Sequence, residues 1–424
     1  MRAVVLGVVV TALMLYGQEA SSSQVAQTLT RRAMLDQLAR ANTDQRIRGY
    51  ERLLASSPDD PQLQLGLTAA YLQKLRESAD FTYLDRASKL VDAMLQKDGG
   101  NFAALRFQNE VDLERHNFKE VAERAQSMAK YAPSDPGNWG NLGDALMELG
   151  EYERAGQAYS KMFGLRPNLA SYNRLAYFHF VNGDASRAIT LMRAAVEAGN
   201  PQAENTAWCW AELGDIYFKI GKLDEAADGY RTALHLFPTL HRASAGLGKV
   251  EAARGDVQAA VRNYERAQSI VPLVEYAAAL EDLYSAAGMS TKARQQRDLI
   301  ETIERLGRVT NEKTNRNLAL VLADRKKDLP LALELVQAEI PVRGDVYTWD
   351  ALAWVLFQSG RVQEANDAMA KALKLRTPEP LFYYHASRIA AASGDQSAAS
   401  DYSNQLVSLN SRFDFAKSDT VAQR

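Results

Sequence analysis

The segment AELGDIYFKIGKLDEAADGYRTALHLFP at 211–238 is echoed 34 residues later by AGLGKVEAARGDVQAAVRNYERAQSIVP at 245–272. A fixed period of this length marks one small structural unit used many times, and it constrains the fold more than any other feature of the chain. Aligned in this register, one column holds the small residues Gly143, Ala176, Gly214, Gly248, Ala353 and Ser387. A second column holds Ala155, Ala188, Ala226, Ala260, Ala293, Ala365 and Ala399, twelve residues further on in every unit that has both. Between the columns lies a glycine: Gly150, Gly183, Gly221, Gly255, Gly288, Gly360 or Gly394. Small side chains on two successive helices let their axes approach closely. The intervening glycine suits a left-handed helix end, where a Cβ would be costly. Each unit is therefore predicted to be a helical hairpin.

The second helix carries a large residue four places after its alanine, as at Tyr159, Met192, Tyr230, Tyr264 and Met369, and it stops near Pro133, Pro167, Pro238 or Pro272. Proline cannot continue a helix. Apolar residues recur at helical spacing, with Leu213, Ile216, Tyr217 and Ile220 on one helix and Ala226, Tyr230, Ala233 and Leu234 on the next. A lone hairpin of this size leaves one apolar face bare. Only a neighbouring hairpin can cover it, so the units are expected to pile up in single file and leave a long curved trough.

These columns resemble the tetratricopeptide repeat signature, W-x2-L-G-x2-Y followed by a small residue, an aromatic and a proline. Trp210, Leu213, Gly214, Tyr217, Ala226, Tyr230, Ala233 and Pro238 meet it nearly in full. Trp139, Leu142, Gly143, Ala155, Tyr159 and Pro167 follow it, as do Trp349, Leu352, Ala353, Ala365 and Ala372. The resemblance implies an all-α fold, a right-handed α-solenoid of stacked helix-turn-helix hairpins. Units are expected at 102–135, 136–168, 169–206, 207–240, 241–273, 274–308, 309–345, 346–379 and 380–413, with weaker ones at 27–60 and 61–101. Grouped, these give degenerate N-terminal helices at 21–101, an array at 102–308, a C-terminal array at 309–413 and a polar tail at 414–424. Extra loops are expected at 76–83, 199–204 and 324–330, and a break in the array at 307–315.

With 50 basic and 52 acidic residues, the chain has no field to hold a polyphosphate backbone, so nucleic acid is not an expected partner. One cysteine, Cys209, rules out an internal disulfide and a Cys-rich zinc site, and its helical surroundings, TAWCWAEL, suit a packed thiol. The five histidines, His116, His179, His235, His241 and His385, show no metal-ligand spacing. No phosphate-cradling glycine loop and no hydrolase nucleophile is visible, and the carboxylates fall on solvated helix faces. No enzyme, no cofactor and no metal are expected.

Residues 3–16 form an apolar run behind Arg2, too short to span a bilayer comfortably. Residues 1–20 are read as an export signal, with an uncleaved membrane anchor as the alternative. The expected location is periplasmic or secreted. Membrane contact is expected only through this segment if it is retained.

In the family the first helix of each hairpin lines the concave face, where extended peptides or partner helices bind. Two groups of groove positions stand out. The first comprises Asn173, Arg174, Tyr177, Phe180, Trp208, Asp215, Phe218 and Lys219, and the second Asp350, Trp354, Phe357, Tyr384, His385 and Arg388. Aromatics flanked by charges are the composition of a binding hot spot, although the same aromatics also serve as core. Asp350 and His385 sit at corresponding levels of adjacent units, where an acid and an imidazole could orient each other as in hydrolytic sites; with no nucleophile nearby, a structural hydrogen bond or a ligand contact is expected instead. The family's carboxylate clamp needs lysines and asparagines at places that here hold Gly140, Asn173, Ala211 and Ala245. Recognition of acidic C-termini by that mode is not expected. The expected role is a non-catalytic scaffold for a peptide or protein partner. The alternatives are a structural subunit of an envelope complex and, with low weight, an enzyme with a small-molecule pocket near His385.

Overall fold

The computed structural model describes residues 32–200, 203–309 and 314–413. The signal or anchor expected at 1–20 and the polar tail at 414–424 lie outside them, as do residues 310–313 of the expected break. Every regular element among the described residues is a helix, and none is long and apolar enough to cross a membrane.

The chain divides into two compact units, residues 1–107 and 108–424. In the first, a helix at 32–40 precedes Thr43–Ser56, Pro61–Ser78 and Thr82–Lys97. Asp60 caps the helix that Pro61 opens, its carboxylate accepting from the N–H groups of Gln62 and Leu63. Leu63, Leu67, Leu75, Val91 and Met94 are buried. The extra loop expected at 76–83 shrinks to a three-residue connection, because Pro61–Ser78 continues to a left-handed Ala79 at φ 51°.

In the second unit the helix Phe118–Tyr131, entered through a turn at His116, leads into a run of hairpins. Pro136–Glu148 pairs with Tyr152–Leu165, Leu169–Val181 with Ala185–Ala198, Glu204–Lys219 with Leu223–Leu236, and His241–Arg254 with Val257–Ile270. Val274–Ala286 with Ser290–Val309, Arg316–Asp324 with Leu329–Glu339, Val346–Gln358 with Val362–Ala372, and Pro380–Ala392 with Gln396–Leu409 complete it. The seven turn glycines all have φ between 72° and 90°. Asp135, Asn168, Asp184, Asp256, Asp345 and Asp395 cap the helices that follow them, each side chain accepting a first-turn N–H.

The first small column has a definite job. A Cβ at Gly214 would stand 2.8 Å from the Tyr230 ring, and one at Gly248 2.6 Å from the Tyr264 ring. The glycine thus makes room for the aromatic that the second helix carries across the hairpin. The ring's far end is fixed as well, since the Tyr230 hydroxyl donates to Asp215 at 2.7 Å and that of Tyr159 to Asp144 at 2.9 Å. In the second column Ala155, Ala188, Ala226, Ala260 and Ala365 are fully buried.

Packing passes from hairpin to hairpin and does not stop on either side of residues 310–313. Val274, Ala277 and Ile300 share one apolar cluster with Leu318, Leu322 and Trp354, and Arg325 reaches back to Glu281 at 2.8 Å.

The single-file trough is modified at one place. The turns of three successive hairpins dock against connectors near the chain's other end. A Cβ at Gly150 would meet the Gly344 carbonyl at 2.5 Å, one at Gly183 the Leu375 carbonyl at 3.1 Å, and one at Gly221 the Leu409 carbonyl at 2.8 Å. The Val346 N–H donates to the Tyr152 hydroxyl at 2.8 Å, the Thr377 hydroxyl to the Val181 carbonyl at 2.6 Å, and the Asn410 amide to the Phe218 carbonyl at 2.6 Å. These bonds join residues 194, 196 and 192 positions apart. Arg343 lies 2.7 Å from Glu148 and covers the Phe118 ring at 5.2 Å. Val346 and Phe382 enter the same apolar cluster as Leu142, Leu146 and Val181. Stacked hairpins each rotate a little relative to the last. Here the accumulated rotation brings the array back onto itself along a seam.

Candidate functional site

Closure at the seam turns part of the trough into a cavity of about 1000 Å³. Its wall takes first-helix residues from several hairpins, including Asp215, Phe218, Lys219, Lys249, Arg316, Asp350, Trp354, Tyr384, His385 and Arg388. Connector residues Glu379 and Phe413 complete it.

The two sequence groups separate by this criterion. From the first group, Asp215, Phe218 and Lys219 line the cavity. Asn173, Arg174, Tyr177, Phe180 and Trp208 do not. Arg174 holds Asp144 through bonds of 2.9, 3.1 and 2.7 Å. Asn173 donates to the Cys209 sulfur at 3.3 Å, and that thiol is buried and its pKa pushed up to about 12 by desolvation. Phe180 is core at 2% exposure. Tyr177 packs against the Leu142 cluster, and burial raises its hydroxyl well above the usual range. Trp208 lies under the Arg242 guanidinium at 4.1 Å. From the second group, Asp350, Trp354, Phe357, Tyr384, His385 and Arg388 all reach the cavity.

Near the seam, the wall is a charged lattice. Lys219 sits 2.8 Å from Glu379 and lies over the rings of Phe180 and Tyr347 at 4.9 and 5.4 Å. Burial alone lowers the pKa of Lys219, but the carboxylates of Glu379 and Asp215 outweigh it and hold the ammonium above its usual value. Burial also works against the Asp215 carboxylate, and Arg242, Lys249 and Lys219 outweigh it in turn, so its pKa is depressed. Arg316 forks onto Asp345 at 2.9 and 2.8 Å and reaches the Thr348 hydroxyl at 3.1 Å. On the opposite wall Arg325 pairs with Glu281 at 2.8 Å, Arg297 with Glu281 at 2.9 Å, and Lys327 with Glu301 at 2.5 Å.

The same cavity is lined by an aromatic layer. The rings of Trp354 and His385 stack at 4.1 Å with 14° between planes, and Phe357 lies 5.2 Å from Trp354. His385 Nδ1 is 2.9 Å from Asp350 Oδ1, which realises the expected pairing of these two residues. Both are only 2% exposed. The Trp354 indole N–H donates to Asp324 at 2.7 Å. Burial raises the pKa of Asp350, with the His385 ring opposing it.

Wall residues that the groove columns did not single out include Arg316, Asp324, Tyr347, Glu379 and Phe413. Asp324 ends a first helix at a charged turn, so its position was readable. Glu379 and Phe413 sit in connectors and enter the wall only because the array closes. Their types at those positions carry no periodic signal.

Tetratricopeptide repeat family models match residues 136–169, 168–239 and 211–275. Among curated proteins the chain is similar to a TPR repeat-containing protein, MJ1428 of Methanocaldococcus jannaschii, at 20% identity over 65% of this chain and 50% of that one. The chain thus spans about half the length of this relative. Among solved structures it is similar to a chain of the APC/C hetero-tetramer Cut9-Hcn1, at 14% identity and a TM-score of 0.47 over 81% of this chain and 58% of that one. It is also similar to PilW, a type IV pilus biogenesis factor, at 13% identity and a TM-score of 0.43 over 48% of this chain and 93% of that one. The family matches fall on the hairpins whose small columns, turn glycines and cross-hairpin aromatics are described above: residues 136–275 are tetratricopeptide repeats, and hairpins of the same build continue after them.

Proposed function

We propose that the second unit is a non-catalytic scaffold that takes an extended peptide segment of a protein partner into the seam-closed cavity. The observation that carries this reading is the composition of the wall. Partly exposed aromatics, Phe357 and Tyr384, and paired acids and bases line one concavity of about 1000 Å³. Pockets of several hundred Å³ with a few convergent polar groups suit small ligands or short peptide stretches, and desolvated aromatics supply most of the binding free energy at such sites. Among the described residues, the cavity wall holds no serine, threonine or cysteine to act as a nucleophile beside the Asp350–His385 pair. Binding is therefore the favoured use of that pair. The wall's acids and bases are interleaved and set the register of a bound chain. Export through residues 1–20 goes with this reading, and cell fractionation of the full chain tests it.

The test is to pan a random peptide library on the full chain and to measure the selected peptides against a Phe357→Ala/Tyr384→Ala variant of unchanged helical content. Affinity should drop at least tenfold, since truncating hot-spot aromatics costs roughly 2 kcal/mol or more. Selected peptides that bind the variant with equal affinity would place the site elsewhere.

A further inference from the structure

One hairpin breaks the pattern of its neighbours at a position that carries a ring elsewhere. Four places before the turn glycine stand Tyr217 ahead of Gly221, Tyr284 ahead of Gly288, but Leu146 ahead of Gly150. Ten places after the preceding turn stand Arg193 past Gly183, Glu265 past Gly255, and Gln126 past the left-handed His116. Where the tyrosine is present, these positions meet. The Tyr217 hydroxyl accepts from Arg193 at 2.7 Å, and that of Tyr284 donates to Glu265 at 2.5 Å. Each ring also has a cation beside it, Arg193 at 6.0 Å from the Tyr217 ring and Lys292 at 5.0 Å from that of Tyr284. The ring thus ties a first helix to the second helix of the preceding hairpin.

With leucine in that place, a cleft of about 390 Å³ lies between Phe118–Tyr131, Pro136–Glu148 and Tyr152–Leu165. Trp139, Leu142 and Leu146 give it an apolar lining, and it shares no residue with the seam-closed cavity. Lys130, Arg154 and Lys161 also line it, and no carboxylate does. Arg154 is bonded to Glu151 and Gln126. Lys130 and Lys161 are exposed and make no ion pair among the described residues. This charge is not a property of the repeat. At the same offsets from their turns, the two tyrosine-bearing hairpins and the helices before them hold Glu197 and Ser269 in place of Lys130, and Thr232 and Leu299 in place of Lys161.

We propose that this cleft is a second docking site, independent of the cavity, for a tyrosine on an acidic peptide segment of a protein partner. The incoming ring takes the place that Tyr217 and Tyr284 fill from within the chain. Gln126 meets its hydroxyl, since a side-chain amide can donate as Arg193 does or accept as Glu265 does. Arg154 stands four places after Gly150 as Lys292 stands four after Gly288, so a cation is again at hand for the ring. Carboxylates on either side of the tyrosine answer Lys130 and Lys161 and set its register. Burial of the ring against Trp139, Leu142 and Leu146 supplies the affinity.

The experiment measures fluorescence anisotropy of labelled peptides on the full chain. The probes are the acetylated amide Glu-Asp-Tyr-Glu-Asp, the same peptide with alanine at its centre, and Lys-Arg-Tyr-Lys-Arg. The acidic tyrosine peptide should bind, and the other two should bind about tenfold more weakly or worse. Leu146→Tyr rebuilds the ring of the other hairpins inside the cleft and should weaken the acidic tyrosine peptide by a similar factor at unchanged helical content. Lys130→Glu/Lys161→Glu should also weaken it, and added salt should lower the affinity of the unaltered chain. Lys89→Glu/Lys374→Glu, the same charge change at exposed positions outside the cleft, should leave it as it was. If Leu146→Tyr loses helical content, the Lys130 and Lys161 double variant decides together with the alanine-centred peptide. Equal binding of that peptide would reduce the contact to surface charge and overturn the proposal. Undiminished binding to a folded Leu146→Tyr variant, or no binding of the acidic tyrosine peptide to the unaltered chain, would overturn it as well.

Discussion

Seven hairpin turns in this chain share one glycine and one left-handed geometry, yet they live in two environments. Gly150, Gly183 and Gly221 lie against backbone carbonyls from the far end of the array, whereas a Cβ at Gly255, Gly288, Gly360 or Gly394 would meet nothing within 4 Å. The repeat explains the glycine in both sets through the helix end it forms. Only the first set has a second reason to be glycine, namely the close approach of another segment. The same turn glycine thus does different tertiary work, depending on where the accumulated rotation of the stack brings its ends together.

That contrast sets the largest expected effect. Gly150→Ala or Gly221→Ala should cost about 2–4 kcal/mol, adding overpacking against a carbonyl to the left-handed strain. Gly255→Ala or Gly288→Ala should cost only the strain, about 1 kcal/mol. Urea titrations of the four variants would show it, and equal losses in the two sets would mean that the seam contributes nothing.

The next effect concerns the charged pair that crosses the seam. Glu379→Gln removes the carboxylate facing Lys219, whose side chains are 10% and 26% exposed, and should cost about 1–3 kcal/mol by leaving an enclosed ammonium underpaired. Glu301→Gln breaks the exposed, solvent-screened pair with Lys327 and should cost clearly less than Glu379→Gln. A larger loss at Glu301 than at Glu379 would reverse the comparison.

Acid should loosen the seam as well. His116 occupies the turn preceding Gly150, at φ 61°, where burial and the guanidinium groups of Arg343 and Arg316 push its pKa down to about 4. His241, away from the seam, is pushed down to about 4 by burial and Arg242. Each is neutral in the folded chain while the unfolded chain takes up a proton nearer pH 6.5. The unfolded state therefore binds more protons between these values, and stability should fall as pH drops from about 6.5 to about 4, then level off. The loss is on the order of 1–2 kcal/mol per histidine once partial solvent access is allowed for. His116→Asn, tolerated at positive φ, should remove the seam's share of this acid sensitivity. An unchanged pH profile would show that His116 does not feel the two arginines.

What was legible in the sequence was whatever the period repeats. The small columns, turn glycines and cross-hairpin aromatics are set within one hairpin, so a single unit suffices to read them. Asp350, Trp354, Phe357, Tyr384, His385 and Arg388, named by their register on the first helices, all line the cavity. The seam was not legible. Thr377, Asn410 and Tyr152 bond partners about 194 residues away, and that register depends on the small rotation between hairpins, which no residue column encodes. For the same reason Phe180 and Tyr177, read with the groove, pack inside the stack, while Glu379 and Phe413 reach the cavity from connectors.

The account depends most on the array returning to itself. Spin labels on Lys222→Cys and Arg412→Cys, exposed positions flanking the contact of Gly221 with Asn410, test this directly. The buried Cys209, its thiol pushed up to about 12, should stay unlabelled. Pulsed dipolar measurement should give one narrow distribution at short separation, which Gly221→Ala broadens. A long or broad distribution in the unaltered background would contradict the closed array and, with it, the cavity on which the proposed function stands.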